Sequence, residues 1–142
     1  MLPEATAIND AVILAARIFL ATLFLIFGCR KVRDYPGTVS QMVRDGVRTP
    51  MLATVVAIFM EIPVAFAVAV GAFTRLSAVL MAGYTLGTSL IEHRYWTKTG
   101  AALLDSMEAF YKNLSIMGGL LLLYVIGAGK YSIDELWRIV TP

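Results

Sequence analysis

Four apolar runs dominate this chain, and each is about the length that crosses a bilayer. They cover residues 11–28 (AVILAARIFLATLFLIFG), 51–71 (MLATVVAIFMEIPVAFAVAVG), 76–95 and 113–129 (NLSIMGGLLLLYVIGAG). A spanning helix needs roughly 20 apolar residues at about 1.5 Å rise each, whereas a spanning strand needs only about ten with strict alternation. The runs therefore predict helices. Composition agrees: 58% of residues are hydrophobic and 15% charged, against roughly 45–50% and about 25% in soluble domains. A chain of 142 residues with so little polar material cannot coat a water-exposed globule. The expected architecture is all-α, an integral membrane four-helix bundle forming a single domain over 1–142, with the lipid bilayer as its first partner.

Several functions are disfavoured at once. A net charge of +2 is too weak for a nucleic-acid footprint. The single cysteine, Cys29, and the single histidine, His93, leave no haem or metal site that this chain builds alone. The start MLPEATAIND lacks a basic signal-peptide region, so the first run is expected to stay in the mature protein.

The connections predict short interfacial helices. Residues 29–50 are long enough for one around Thr38 to Arg44, and residues 96–112 form another interfacial segment with Trp96, Phe110 and Tyr111 as an aromatic belt. The link after the second run is only AFTR, a tight antiparallel hairpin. In the tail, Ser132 followed by Glu135 fits a capping box at the start of a short amphipathic helix. Eight Lys and Arg residues lie at the end carrying loops 29–50 and 96–112, and three lie at the other end. The positive-inside rule then places both long loops in the cytoplasm and both termini outside.

Charged groups at bilayer depth cost at least about 2.5–3.5 kcal/mol each and so demand a partner or a wet cavity. Arg17 lies in the first run and Glu61 in the second, at depths that helical rise separates by roughly 6 Å. The expectation is an Arg17–Glu61 pair, either a plain interhelical clamp or the wall of a polar pocket. The proposed interior site stands on those two charges facing each other. Pro63, two residues on, loosens the helix there. The third run carries a polar stripe of Thr85, Ser89 and His93, with Thr88 and Glu92 beside it and Tyr84 near the depth of Glu61. Its hydroxyls have an ordinary outlet in back-bonding to their own helix. Lys112 and Asn113 belong to the same end as His93. Gly83–Gly87 and Gly118–Gly119 suggest close helix approaches.

In sequence order, Arg17 with LFLIFGCRK (Gly28, Lys31), Glu61, GAFTR, EHRYW, FYKNLSIMGGLL and GAGKYSID together resemble the DoxX family across nearly the whole chain. Cys29 departs from the glycine or other small residue common there. The resemblance implies a small four-helix protein of the bacterial cytoplasmic (inner) membrane, associated with quinones or redox chemistry. On that basis the chain is read as the membrane subunit of a redox system, with quinone as the cofactor. Arg17, Glu61, Tyr84, His93, Lys112 and Asn113 would bind the ring, and Glu61, His93 and Arg17 would act in catalysis. Two alternatives stand beside it. One is a non-catalytic accessory subunit of a larger respiratory or photosynthetic membrane complex, or a homo-oligomer. The other is a small transporter, although the two halves show no convincing inverted repeat.

Overall fold

The computed structural model describes residues 3–140. Helix α1 runs Pro3–Arg33 and α2 Tyr35–Arg44. Next come α3 (Pro50–Phe59), a π-helical turn (Met60–Val64) and α4 (Ala65–Val70), followed by α5 (Thr74–Glu92). A 3-10 turn (Tyr95–Thr97), α6 (Ala101–Ile126) and α7 (Ile133–Val140) complete the chain. Ile8–Arg33, Pro50–Val70 and Ala101–Ile126 are long and apolar enough to cross a membrane. At 19 residues, α5 is about 28 Å long. It is more polar than those three because its polar side is packed inward, chiefly against α6. The protein is an all-α membrane bundle of four long antiparallel segments, with α2 and α7 as short helices at its two ends.

Local chemistry explains the boundaries. Asp34 caps α2, its Oδ1 accepting the Gly37 N–H at 3.0 Å, with Pro36 in the first turn; the helix thus starts three residues before the expected Thr38. Pro63 has no N–H to give to the α-helical ladder, and the chain absorbs the defect as a π turn that carries Glu61. Gly71, at φ 69°, ends α4 in the left-handed region. Glu135 N–H donates to Ser132 Oγ at 3.2 Å, so the anticipated cap of α7 forms.

Three expectations about the spans change. The last helix does not begin near Asn113 but at Ala101, because AALLDSMEAFYK continues the helical pattern as an amphipathic first half. Most of the expected interfacial stretch 96–112 is therefore the start of α6, although the belt survives: Trp96 and Tyr95 each stack edge-on against Phe110, at 6.0 and 5.5 Å between ring centres. The third helix stops at Glu92, not at residue 95. Gly83 and Gly87 do not mark a close approach within the chain, since a side-chain carbon at either position would meet nothing within 4 Å; the same holds for Gly118. Gly119 does mark one, with Leu20 of α1 3.1 Å from where its Cβ would stand.

The core lies between α1, α4, α5 and α6, built from Phe24, Met60, Val64, Val68, Met81 and Leu120 with interleaved alanines. Large apolar residues such as Phe19, Phe66 and Val125 face outward, as expected where lipid is the solvent.

Candidate functional site

The expected Arg17–Glu61 pair does not exist. Arg17 is fully buried at the end carrying the termini. Its Nη1 donates to the Ala128 carbonyl at 2.7 Å, and its Nη2 donates to that of Tyr131. Asp134 supplies the opposite charge. The same carboxylate accepts the Phe73 and Thr74 N–H groups at 2.7 and 2.8 Å, capping α5 from outside it. Arg17 is thus a clamp that fastens the tail to the α4–α5 turn. It takes no part in a site with Glu61, Tyr84 or His93.

Helix register explains the error. A Cβ at Gly71 would fall 1.9 Å from Arg17 Nη1, and one at Gly28 would fall 2.9 Å from Glu61 Cβ. Arg17 is therefore level with Gly71, and Glu61 with Gly28. Eleven residues of α1 separate those two levels, roughly 16 Å along the axis. The smaller separation came from measuring each depth from the end of its own apolar run, and those ends are not level, since α1 continues past its run to Arg33.

Glu61 has a different cation. Lys31, in the last turn of α1, donates through Nζ to both carboxylate oxygens, at 2.9 and 2.8 Å. Tyr84 Oη donates to Oε1 at 2.6 Å. The carboxylate is almost wholly shielded and the ammonium mostly so. A charge pair this deep is stable only when its remaining lone pairs are also satisfied, and the tyrosine hydroxyl does that here. The absence of a side chain at Gly28 lets α1 and the π turn close up, which brings Lys31 within reach. The one sequence signal for Lys31 is that the helical pattern continues through CRKVR to Arg33, which carries it on α1 instead of in a loop.

Around this triad lies a cavity of about 180 Å³. Its walls include Phe24, Phe27, Thr88, Glu92, His93, Lys112 and Asn113. Tyr84, His93, Lys112 and Asn113 thus share one space with Glu61, as the sequence indicated, while Arg17 is excluded. The stripe hydroxyls mainly bond to their own helix: Thr85 to the Met81 carbonyl at 2.7 Å, and Ser89 and Thr88 to that of Thr85 at 2.7 and 3.1 Å. Asn113 Nδ2 donates to Ser89 Oγ at 3.0 Å, which ties α6 to α5 and fixes that wall. His93 follows α5 directly. Burial holds its imidazole below the ordinary value, and the Lys112 and Lys98 ammonium groups push the same way against Asp45. The ring is therefore neutral at pH 7, with both a donor and an acceptor nitrogen.

Two further spaces adjoin the cavity. An apolar groove of about 570 Å³ runs between α1 and α6, lined by residues such as Ile13, Leu20, Ile116 and Gly119. It shares Leu23 and Lys112 with the polar cavity. On the loop side, a cleft beside α2 shares Phe27, Lys31 and Glu92 with it. The Lys31–Glu61–Tyr84 cluster is thus bordered on one side by a lipid-facing slot and on the other by a polar, solvent-side opening. Among the described residues, no group of three His, Cys, Asp or Glu side chains is placed to hold a metal ion.

The chain is 44% identical to inner membrane protein YphA of Escherichia coli (strain K12) over 129 residues, covering 91% of this chain and 92% of that protein. It is 38% identical to inner membrane protein YqjF of the same organism over 129 residues, covering 91% and 94%. No solved structure gives a significant match. Its apolar helices and these relatives make it a multi-pass inner membrane protein. Residues 12–94 match the DoxX family, and the chain belongs to that family.

Proposed function

We propose that this protein is the membrane subunit of a redox system and binds the ring of a quinone, or a similar small ring, beside Lys31, Glu61 and Tyr84. The observation that carries this reading is a polar cavity inside the bundle that adjoins an apolar groove, with Leu23 and Lys112 in the wall of both. Drug-sized ligands fill roughly 300–1,000 Å³. A cavity of about 180 Å³ suits a ring head group alone, with any apolar tail left in the α1–α6 groove.

The donor set fits such a ring. The Lys31 ammonium, with one N–H left after its two bonds to Glu61, and the His93 imidazole are donors suited to carbonyl oxygens; the Glu61 carboxylate, which already takes the single Tyr84 hydroxyl hydrogen, is the acceptor through which a proton can pass. When bound, a quinone would supply the electron and proton acceptor. Phe24 and Phe27 exclude water from one wall. Glu92, on the wall shared with the solvent-side cleft, is placed to exchange protons with Lys31 and Glu61. Arg17, first read as part of this machinery, is a structural residue.

The direct test is lipid extraction of the purified full chain, with bound quinone quantified by mass spectrometry. Wild type is expected to retain quinone in near-stoichiometric amount, and Tyr84→Phe and Glu61→Gln to lose most of it while keeping their helical content. Equal retention by all three proteins would overturn the reading.

One observation favours the accessory alternative. A side-chain carbon at Gly83 or Gly87 of α5 would meet nothing of this chain within 4 Å, and Leu80 and Leu90 beside them are exposed. Small residues on a lipid-facing helix suit close packing against another helix. Co-purification of a stoichiometric larger partner, lost in Gly83→Leu but unaffected by Glu61→Gln, would support that reading over the first.

A further inference from the structure

At the end opposite the candidate site, α7, the α6–α7 link and the start of α5 border an open surface cavity of about 670 Å³. Its acidic residues are already engaged. Both Asp134 oxygens accept backbone N–H groups of Phe73 and Thr74, and Glu135 lies 3.6 Å from Arg138. Two other cations on its wall, Arg75 and Lys130, form no ion pair among the described residues. The amides of Arg75 and Leu76, in the first turn of the 19-residue α5, have no carbonyl within the helix to bond, and the helix dipole there favours an anion. A separate observation also points to a ligand. Thr74, on the cavity wall and 1% exposed, has a buried Oγ1 with no hydrogen-bond partner.

We infer that this cavity binds the phosphate of an anionic phospholipid head group. The phosphate oxygens pair with Arg75 and Lys130 and accept from the free α5 amides, and the Thr74 hydroxyl becomes the donor that completes the set. A lipid is favoured over free phosphate by the rim. Leu76 and Ile126 line the cavity and are each 59% exposed, giving acyl chains an apolar surface to lie on. Phe73 and Trp137 stack edge-on at 5.1 Å between ring centres, and aromatic side chains of this kind collect at membrane interfaces. The site shares none of the polar cavity's residues and only Ile126 with the α1–α6 groove, so it does not rest on the quinone reading.

The test is native mass spectrometry of the full chain released from nanodiscs containing phosphatidylglycerol and phosphatidylcholine. Wild type should keep one phosphatidylglycerol in preference to phosphatidylcholine. The Arg75→Ala/Lys130→Ala variant should lose that preference on the order of thirtyfold, from two near-surface cations. Thr74→Val, which keeps the side-chain shape, should weaken it by a smaller factor. Arg33→Ala, an exposed cation at the far end, should leave it unchanged. The inference is overturned if the double variant retains the preference, if Arg33→Ala removes it equally, or if millimolar inorganic phosphate displaces the lipid. Circular dichroism confirms that each variant is folded. If the double variant does not fold, Thr74→Val and the phosphate competition on wild type decide the matter.

Discussion

The guanidinium of Arg17 occupies the space that a side chain at position 71 would need: a Cβ there would stand 1.9 Å from Nη1 and 2.6 Å from Ser132 Cβ. Gly71 also has φ 69°. Two independent constraints, conformational and steric, thus converge on one glycine. Gly71→Ala is expected to destabilise the protein by more than about 2 kcal/mol, combining left-handed strain with displacement of a buried charge. Thermal unfolding in mild detergent measures this, and an unchanged midpoint would contradict the clamp geometry.

Lys31→Met should be more damaging than most changes at the membrane surface. It leaves the Glu61 carboxylate, 7% exposed in its side chain, with only the Tyr84 hydroxyl. Loss of one partner of a buried pair costs at most about 3–5 kcal/mol. The Lys31→Met/Glu61→Leu double variant should recover most of that loss, since an apolar pair needs no compensation. A double variant no more stable than Lys31→Met would show that the two residues are not coupled.

Asp134→Ala removes the carboxylate that caps α5 from α7. Helix caps are worth about 0.5–2 kcal/mol, and here the same group also faces Arg17. The expected result is a lowered melting point together with faster proteolysis of the tail after Lys130, while Glu61-dependent properties stay intact. Limited proteolysis followed by mass mapping reads both.

His93 gives a pH prediction. Its folded-state value lies below the ordinary one, first through burial and then through Lys112 and Lys98. The unfolded chain takes up this proton near pH 6.5, the folded chain only at lower pH. The unfolded state therefore holds more protons just below pH 6.5, and stability falls as the pH drops through that window. His93→Gln should flatten this dependence between about pH 7 and 5. NMR titration of the imidazole measures the value directly, and a midpoint above 6.5 would sink the assignment.

Features set by local chemistry were legible in the sequence. The apolar runs, the Ser132–Glu135 cap, the disturbance at Pro63 and the aromatic belt all depend on neighbours close in the chain. The grouping of Glu61, Tyr84, His93, Lys112 and Asn113 was legible too, because helical rise and chain direction fix rough depth. What escaped was lateral register. The Arg17 Nη groups donate to main-chain carbonyls 111 and 114 residues away, while its buried Nε has no partner among the described residues; every residue has a carbonyl, so no residue type betrays the partner. Lys31 resembled a loop cation because the first helix extends beyond the apolar run to Arg33. The start of α6 was hidden by Asp105, Glu108 and Lys112, which belong to the polar face of a helix that is only partly immersed.

The clamp on Arg17 also constrains how the protein is made. As the first helix leaves the ribosome and partitions into lipid, its arginine has none of its eventual acceptors, because Ala128 and Tyr131 lie far downstream and are not yet translated. Until they arrive, the nascent chain must shelter that cation by snorkelling, by local water or by help from the insertion machinery, so a product cut short before residue 128 keeps a cation in its first helix without either of these carbonyls.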